Sequence, residues 1–120
     1  MGWKLEYYQK ENAEIPVLDF LENLEPKIRA KAFLEIELLE EHGTSLPEPY
    51  VKPIKGKQYK GLYELRIKFS TNIARIFYFF YVGKTIVLLS GFIKKSQKTP
   101  VAELNRALRY KEDYERRCEK

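Results

Sequence analysis

The stretch GLYELRIKFSTNIARIFYFFYVGKTIVLLSGFIKK, Gly61–Lys95, decides how this chain folds. Three runs rich in β-branched and aromatic residues, Leu62–Phe69, Asn72–Val82 and Thr85–Ile93, are separated by short polar breaks. Gly83-Lys84 suits a two-residue hairpin turn. If the first two runs pair across Ser70-Thr71, Arg66 lies directly opposite Arg75, an arrangement that is unfavourable for like charges. If the second hairpin places Phe92 opposite Arg75, alternation sorts the side chains onto two faces. One takes Tyr63, Leu65, Ile67, Ala74, Ile76, Tyr78, Phe80, Val87, Leu89, Gly91 and Ile93 and is almost wholly apolar. The other takes Glu64, Arg66, Lys68, Ile73, Arg75, Phe77, Phe79, Ser90, Phe92 and Lys94. A one-residue slip would send apolar side chains to the wrong face, so the pattern itself favours this pairing.

Around this meander, Trp3–Tyr8 reads as a first strand. Ile15–Leu24 reads as a helix, with Pro16 near its first turn and Val17, Leu18, Leu21 and Leu24 on one stripe. A second helix runs from near Pro26 to about Glu41, with Ile28, Ala32, Ile36 and Leu39 recurring at three- and four-residue spacing. Gly43 after His42 is its stop signal. Val51–Ile54 suits a short edge strand, since Pro53 excludes a central one. Thr99-Pro100 opens a last helix from Val101 to about Tyr114. The expectation is a single α+β domain over residues 1–120: an N-terminal strand, a helical hairpin, a twisted antiparallel sheet of three to four further strands, and a C-terminal helix. The apolar face packs under the hairpin as a two-layer core.

The chain has 120 residues, 44% hydrophobic, which suits one domain with a real core and not a disordered chain. No stretch approaches a membrane span, and MGWKLEYYQKEN lacks the apolar centre of a secretory signal. The one cysteine, Cys118, allows no disulfide within the chain and fits a reducing, cytoplasmic setting. Residues 1–49 hold 5 Lys/Arg against 11 Asp/Glu, and residues 50–120 hold 17 against 6. That asymmetry points to a polyanionic partner for the second part, or to a solvated basic surface.

Arg66, Lys68, Arg75 and Lys94 fall on adjacent rungs of one face. Such a cluster, unfavourable when empty, becomes favourable around a phosphate, whose oxygens match the planar guanidinium fork. Phe77, Phe79 and Phe92 beside it either stack bases or fill a second small core beneath the last helix; the core suits the three as a group, and Phe92 is the candidate for RNA contact. Lys94 and Lys95 are adjacent, so Lys95 joins the cluster only if the chain leaves the sheet at Ser96-Gln97. Glu64 suits the part of an arginine-fixing carboxylate. His42, the only histidine, suits the end of a helix better than a site. No phosphate-loop or dinucleotide motif is present, and the scattered carboxylates give no convincing metal site.

GLYELR (Gly61–Arg66), NIARIFYF (Asn72–Phe79), IVLLSGFIKKSQKTP (Ile86–Pro100) and AELNRAL (Ala102–Leu108) together resemble the RelE/ParE superfamily of bacterial toxins, in particular its HigB-like, phage-derived branch. The resemblance implies a RelE-like fold and the toxin of a type II toxin–antitoxin pair. Such a toxin enters the ribosome and cuts messenger RNA without metal or other cofactor, by attack of the ribose 2′-OH on the adjacent phosphate. It further implies an antitoxin partner with a helix-turn-helix domain, through which operator DNA is met only indirectly. Carried over by residue, Arg66, Arg75, Lys94 and Lys95 are the implied catalytic group; Lys68 and Lys98 are the candidates for RNA contact beside Phe92. A tyrosine that some relatives place beyond the lysine pair is missing from Ser96–Val101. Two other readings stay open: a toxin of this fold acting on a protein such as gyrase, and a non-catalytic RNA-binding protein.

Overall fold

The computed structural model describes residues 2–119. The order is β1 (Lys4–Tyr7), α1 (Pro16–Glu22), α2 (Pro26–His42), β2 (Val51–Pro53), β3 (Tyr63–Phe69), β4 (Asn72–Tyr81), β5 (Thr85–Ile93) and α3 (Val101–Cys118). The five strands form one sheet in the order β1-β5-β4-β3-β2. All neighbours are antiparallel except β1, which runs parallel to β5 and pairs Lys4 with Thr85. The expected α+β class and element order hold. α3 runs to Cys118, four residues past the expected Tyr114, and its N-terminus has Pro100 as the capping residue with no side-chain cap.

The first hairpin has the register that alternation dictates, with Arg66 opposite Arg75. The second matches it only near the first turn. Arg75 pairs with Phe92 and Phe77 with Ser90, but Tyr78 pairs with Leu88, so Leu89 is an extra residue on β5. This bulge corrects the expected faces. Val87 and Leu89 pack with Phe77, Phe79 and Phe92 on the α3 side, while Ile86 and Leu88 face the α1–α2 hairpin. At the second turn Gly83 and Lys84 both have positive φ, as a tight hairpin turn requires.

The sheet therefore has a core on each side, and the layers number three rather than two. On one side Val17 and Leu21 of α1 and Ala32 and Leu39 of α2 cluster with Leu65, Ile67, Ile76 and Leu88 of the sheet. Under α3 lie Phe77, Phe79, Val87, Leu89 and Ala107. Each fully buried aliphatic or aromatic side chain contributes about 1.5–3 kcal/mol. Gly91 makes α1 fit: a Cβ there would lie 2.4 Å from the Phe20 ring, so Phe20 lies flat on β5 only because the position is glycine. α3 is tied to the strand at the sheet's edge by two tyrosine hydroxyls. Tyr114 donates to Glu6 at 2.6 Å and Tyr8 donates to Asp113 at 2.6 Å.

Candidate functional site

β3 and β4 place Arg66 and Arg75 opposite each other on the face that carries Phe77 and Phe79, toward the Ser70-Thr71 turn. They do not point apart, and they are not each closed by a carboxylate of their own. A single carboxylate serves both: Glu64 Oε2 lies 3.7 Å from Arg66 Nε and 3.6 Å from Arg75 Nε. Neither approach is a hydrogen bond. Arg75 is buried, donates from Nη1 to the Ala74 carbonyl at 3.1 Å, and its Nε has no hydrogen-bond partner among the described residues. Glu64 Oε1 is likewise buried and unpartnered there. A buried donor without an acceptor is costly, and Arg75 Nε is one. Burial pushes its pKa down; Glu64 opposes that and Arg66 adds to it.

Lys94 joins them. Its N–H donates to the Ile73 carbonyl at 2.8 Å, so strand pairing continues one residue beyond β5 and fixes its side. Burial lowers the Lys94 pKa first, then Arg75, with Arg66 and Lys52 adding and Glu64 opposing. Lys52 belongs here because β2 pairs it with Glu64. After Lys94 the chain bends away over Ser96–Lys98, which brings Lys95 to the same hollow as Lys94.

Two hollows adjoin at the arginine pair and share Arg66, Ile73 and Arg75. One, about 760 Å³, is bordered by Asn72, Lys94, Lys95 and Gln97. The other, about 400 Å³, opens where β2 stops and α2 comes over the free edge of β3, and Lys31, Glu35, Pro49, Tyr50 and Lys68 line it. A chain of phosphates crossing the arginines thus has space on both sides. Among the described residues no group of three or more His, Cys, Asp or Glu side chains converges as metal ligands would.

Of the residues singled out from sequence, Arg66, Arg75, Lys94, Lys95 and Lys68 come together. Lys98 is exposed, its carbonyl accepts from Ser96 Oγ, and it lines neither hollow. Phe92 is corrected: it is 7% exposed and stacked on Phe77 with centroids 5.6 Å apart, so its ring supports the core and has no open face for a base. Lys31, Glu35 and Tyr50 were not legible as site residues. One signal for Glu35 exists in retrospect, because it falls on the Ile28–Ala32–Leu39 stripe, where a carboxylate is out of place.

No helix among the described residues is long and apolar enough to cross a membrane. No curated protein matches the sequence. The family described as "phage derived protein Gp49-like" matches residues 19–112, a span that holds both arginines, both hollows and the whole β3–β5 meander. On that match over most of its length, the chain belongs to the phage-derived Gp49-like protein family.

Proposed function

We propose that this protein is the toxin of a type II toxin–antitoxin pair, a cytoplasmic, ribosome-dependent endoribonuclease that cuts messenger RNA. One observation carries the reading: two arginines face each other over one shared carboxylate, with open space on both sides. Membership of a phage-derived family and the resemblance to RelE/ParE toxins support it.

The chemistry follows from the donors present. The 2′-oxygen attacks phosphorus, the bond to the 5′-oxygen breaks, and the products are a 2′,3′-cyclic phosphate and a 5′-hydroxyl. Arg66 and Arg75 hold the non-bridging oxygens, where charge grows in the transition state. Arginine stays protonated and takes no proton. Lys94, whose pKa is lowered first by burial and then by Arg75, is the group placed to accept the 2′-OH proton. Lys95, on the same hollow, gives a proton to the leaving 5′-oxygen. The cognate helix-turn-helix antitoxin acts by covering this face.

Inducing the chain in bacteria and mapping messenger 5′ ends tests the reading. Cuts confined to translated codons are expected. Removing one transition-state donor in Arg75→Ala lowers cleavage roughly 10²–10³-fold, and Arg75→Lys, which keeps the charge, falls short because the fork is gone. Toxicity with intact messages and broken DNA, or no growth effect in a folded protein, overturns it.

A further inference from the structure

The nuclease chemistry uses the hollow beside Lys94 and leaves the one over the edge of β3 without a task. At about 400 Å³ it is within the range of small-molecule pockets. Glu35 forms part of its wall. The residue is 4% exposed, and its Oε1 has no hydrogen-bond partner among the described residues. Its Oε2 lies 3.5 Å from Lys31 Nζ, the pair having lysine on the N-terminal side, which is the weaker order on a helix. Lys31 in turn reaches toward the Lys68 carbonyl, also at 3.5 Å. A carboxylate on the buried stripe of α2, half paired beside a cavity, lacks donors; Oε1 is shut off from solvent when the hollow is empty, so the side chain turns for both oxygens to face a bound base.

Tyr50 adds a flat surface. Its carbonyl accepts the Arg66 N–H at 2.7 Å, which anchors its backbone to β3 beside the arginines, while the residue stays 39% exposed. Anything held by a phosphate on Arg66 and Arg75 has its neighbouring group within reach of both Tyr50 and Glu35, because all four line the same hollow.

We propose that this hollow receives the base next to the scissile phosphate and that Glu35 makes it selective for guanine. Among the four bases, guanine offers two adjacent donors, N1–H and N2–H, which match the two oxygens of a carboxylate. Adenine and cytosine present a donor beside an acceptor, and uracil one donor between acceptors; each leaves a Glu35 oxygen facing a lone pair. Tyr50 stacks on the base whatever its identity. Lys31 is the counter-charge that keeps Glu35 in place when the hollow is empty.

The inference rests on the nuclease reading, and binding without cleavage separates the two. The probes are 2′-O-methylated trinucleotides UGU, UAU, UCU and UUU, which lack the attacking hydroxyl, titrated into the full chain with amide signals near Lys31, Glu35 and Tyr50 followed by NMR. UGU is expected to bind roughly tenfold tighter than the other three, in line with one bidentate base contact. In Glu35→Gln, whose amide presents a donor beside an acceptor, that preference collapses, because guanine loses one matched contact while adenine, cytosine and uracil each gain one. Equal binding of all four, or a guanine preference that survives Glu35→Gln, overturns the pocket and leaves the arginine site standing. Binding of none likewise overturns the pocket, and the nuclease reading then stands or falls on the messenger 5′ ends alone.

Discussion

Replacing Glu64 by glutamine separates what that carboxylate does for the fold from what it withholds from a ligand. It is buried, and it is the only acid within ion-pair reach of Arg66 or Arg75 among the described residues. At 3.6 Å, the Glu64–Arg75 attraction is about 4–5 kcal/mol for an effective dielectric of roughly 20. Arg66 is a third exposed and adds little. Removing the charge also removes the cost of keeping it dry. The net loss is about 3 kcal/mol, at the low end for breaking a buried pair, or roughly 10 °C in Tm for a domain of this size. An anion takes the place of the carboxylate. Inorganic phosphate at a hundred times its dissociation constant returns about 2.7 kcal/mol. Thermal unfolding followed by circular dichroism, with and without phosphate, gives the readout: Glu64→Gln melts lower in phosphate-free buffer and gains far more from phosphate than the parent does. A Glu64→Gln protein as stable as the parent, or a phosphate gain equal in both, refutes the account of the arginine pair.

The Lys94 proton has its own signature: cleavage rises with pH through its lowered pKa, and a Lys94→Arg protein, locked in the charged form, shows a low activity without that limb in a purified translation system. The same residue leaves a mark on stability. The folded state holds its proton less tightly than the unfolded one, so folding is penalised below the folded pKa and the penalty fades as pH rises toward the ordinary lysine value. Asp113, held near a pKa of about 2 first by Arg117 and then by Tyr8, also makes stability rise with pH, but as a stabilisation of its charged form where Lys94 carries a penalty. Its stabilisation, up to roughly 2 kcal/mol after allowance for its position near the surface, is present above the normal aspartate range and lost as pH falls through about 2. In urea titrations the gap between Asp113→Asn and the parent therefore closes in acid; a gap independent of pH contradicts this. Gly91→Ala drives a methyl into the Phe20 ring and costs about 1–3 kcal/mol, and a Phe20→Ala background, already weakened by its own cavity, removes most of that extra penalty in a double-mutant cycle.

The first hairpin was legible because β3 is buried on one face only beyond Leu65: Ile67 turns inward, Arg66 and Lys68 outward, and only one register satisfies both. β5 gave no such signal. Ile86, Val87, Leu88 and Leu89 are all fully buried, so a run that is apolar on both faces carries no phase, and its bulge is invisible to alternation. Arg66, Arg75 and Lys94 could be placed together because they sit on neighbouring rungs. Glu35 and Tyr50 could not, since their approach to Arg66 depends on how α2 crosses the sheet edge, which no local pattern encodes. The length of α3 was underread for a related reason: its last turn is held by Asp113 pairing with Arg116 and Arg117, by the Arg117 bond to the Gln9 carbonyl and by Tyr114 on Glu6, not by an apolar stripe.

Leu89 has a consequence for tolerance to change. One supernumerary residue in the middle of β5 shifts the β4–β5 register between the two ends of the ladder. Lengthening or shortening the connection at Gly83-Lys84 shifts the distal rungs, and that slack is taken up at the bulge before it reaches Phe92 and Arg75. The cationic end of the meander is thereby insulated from wear at the far hairpin, and loop variants there should leave the spacing of the two guanidinium groups untouched.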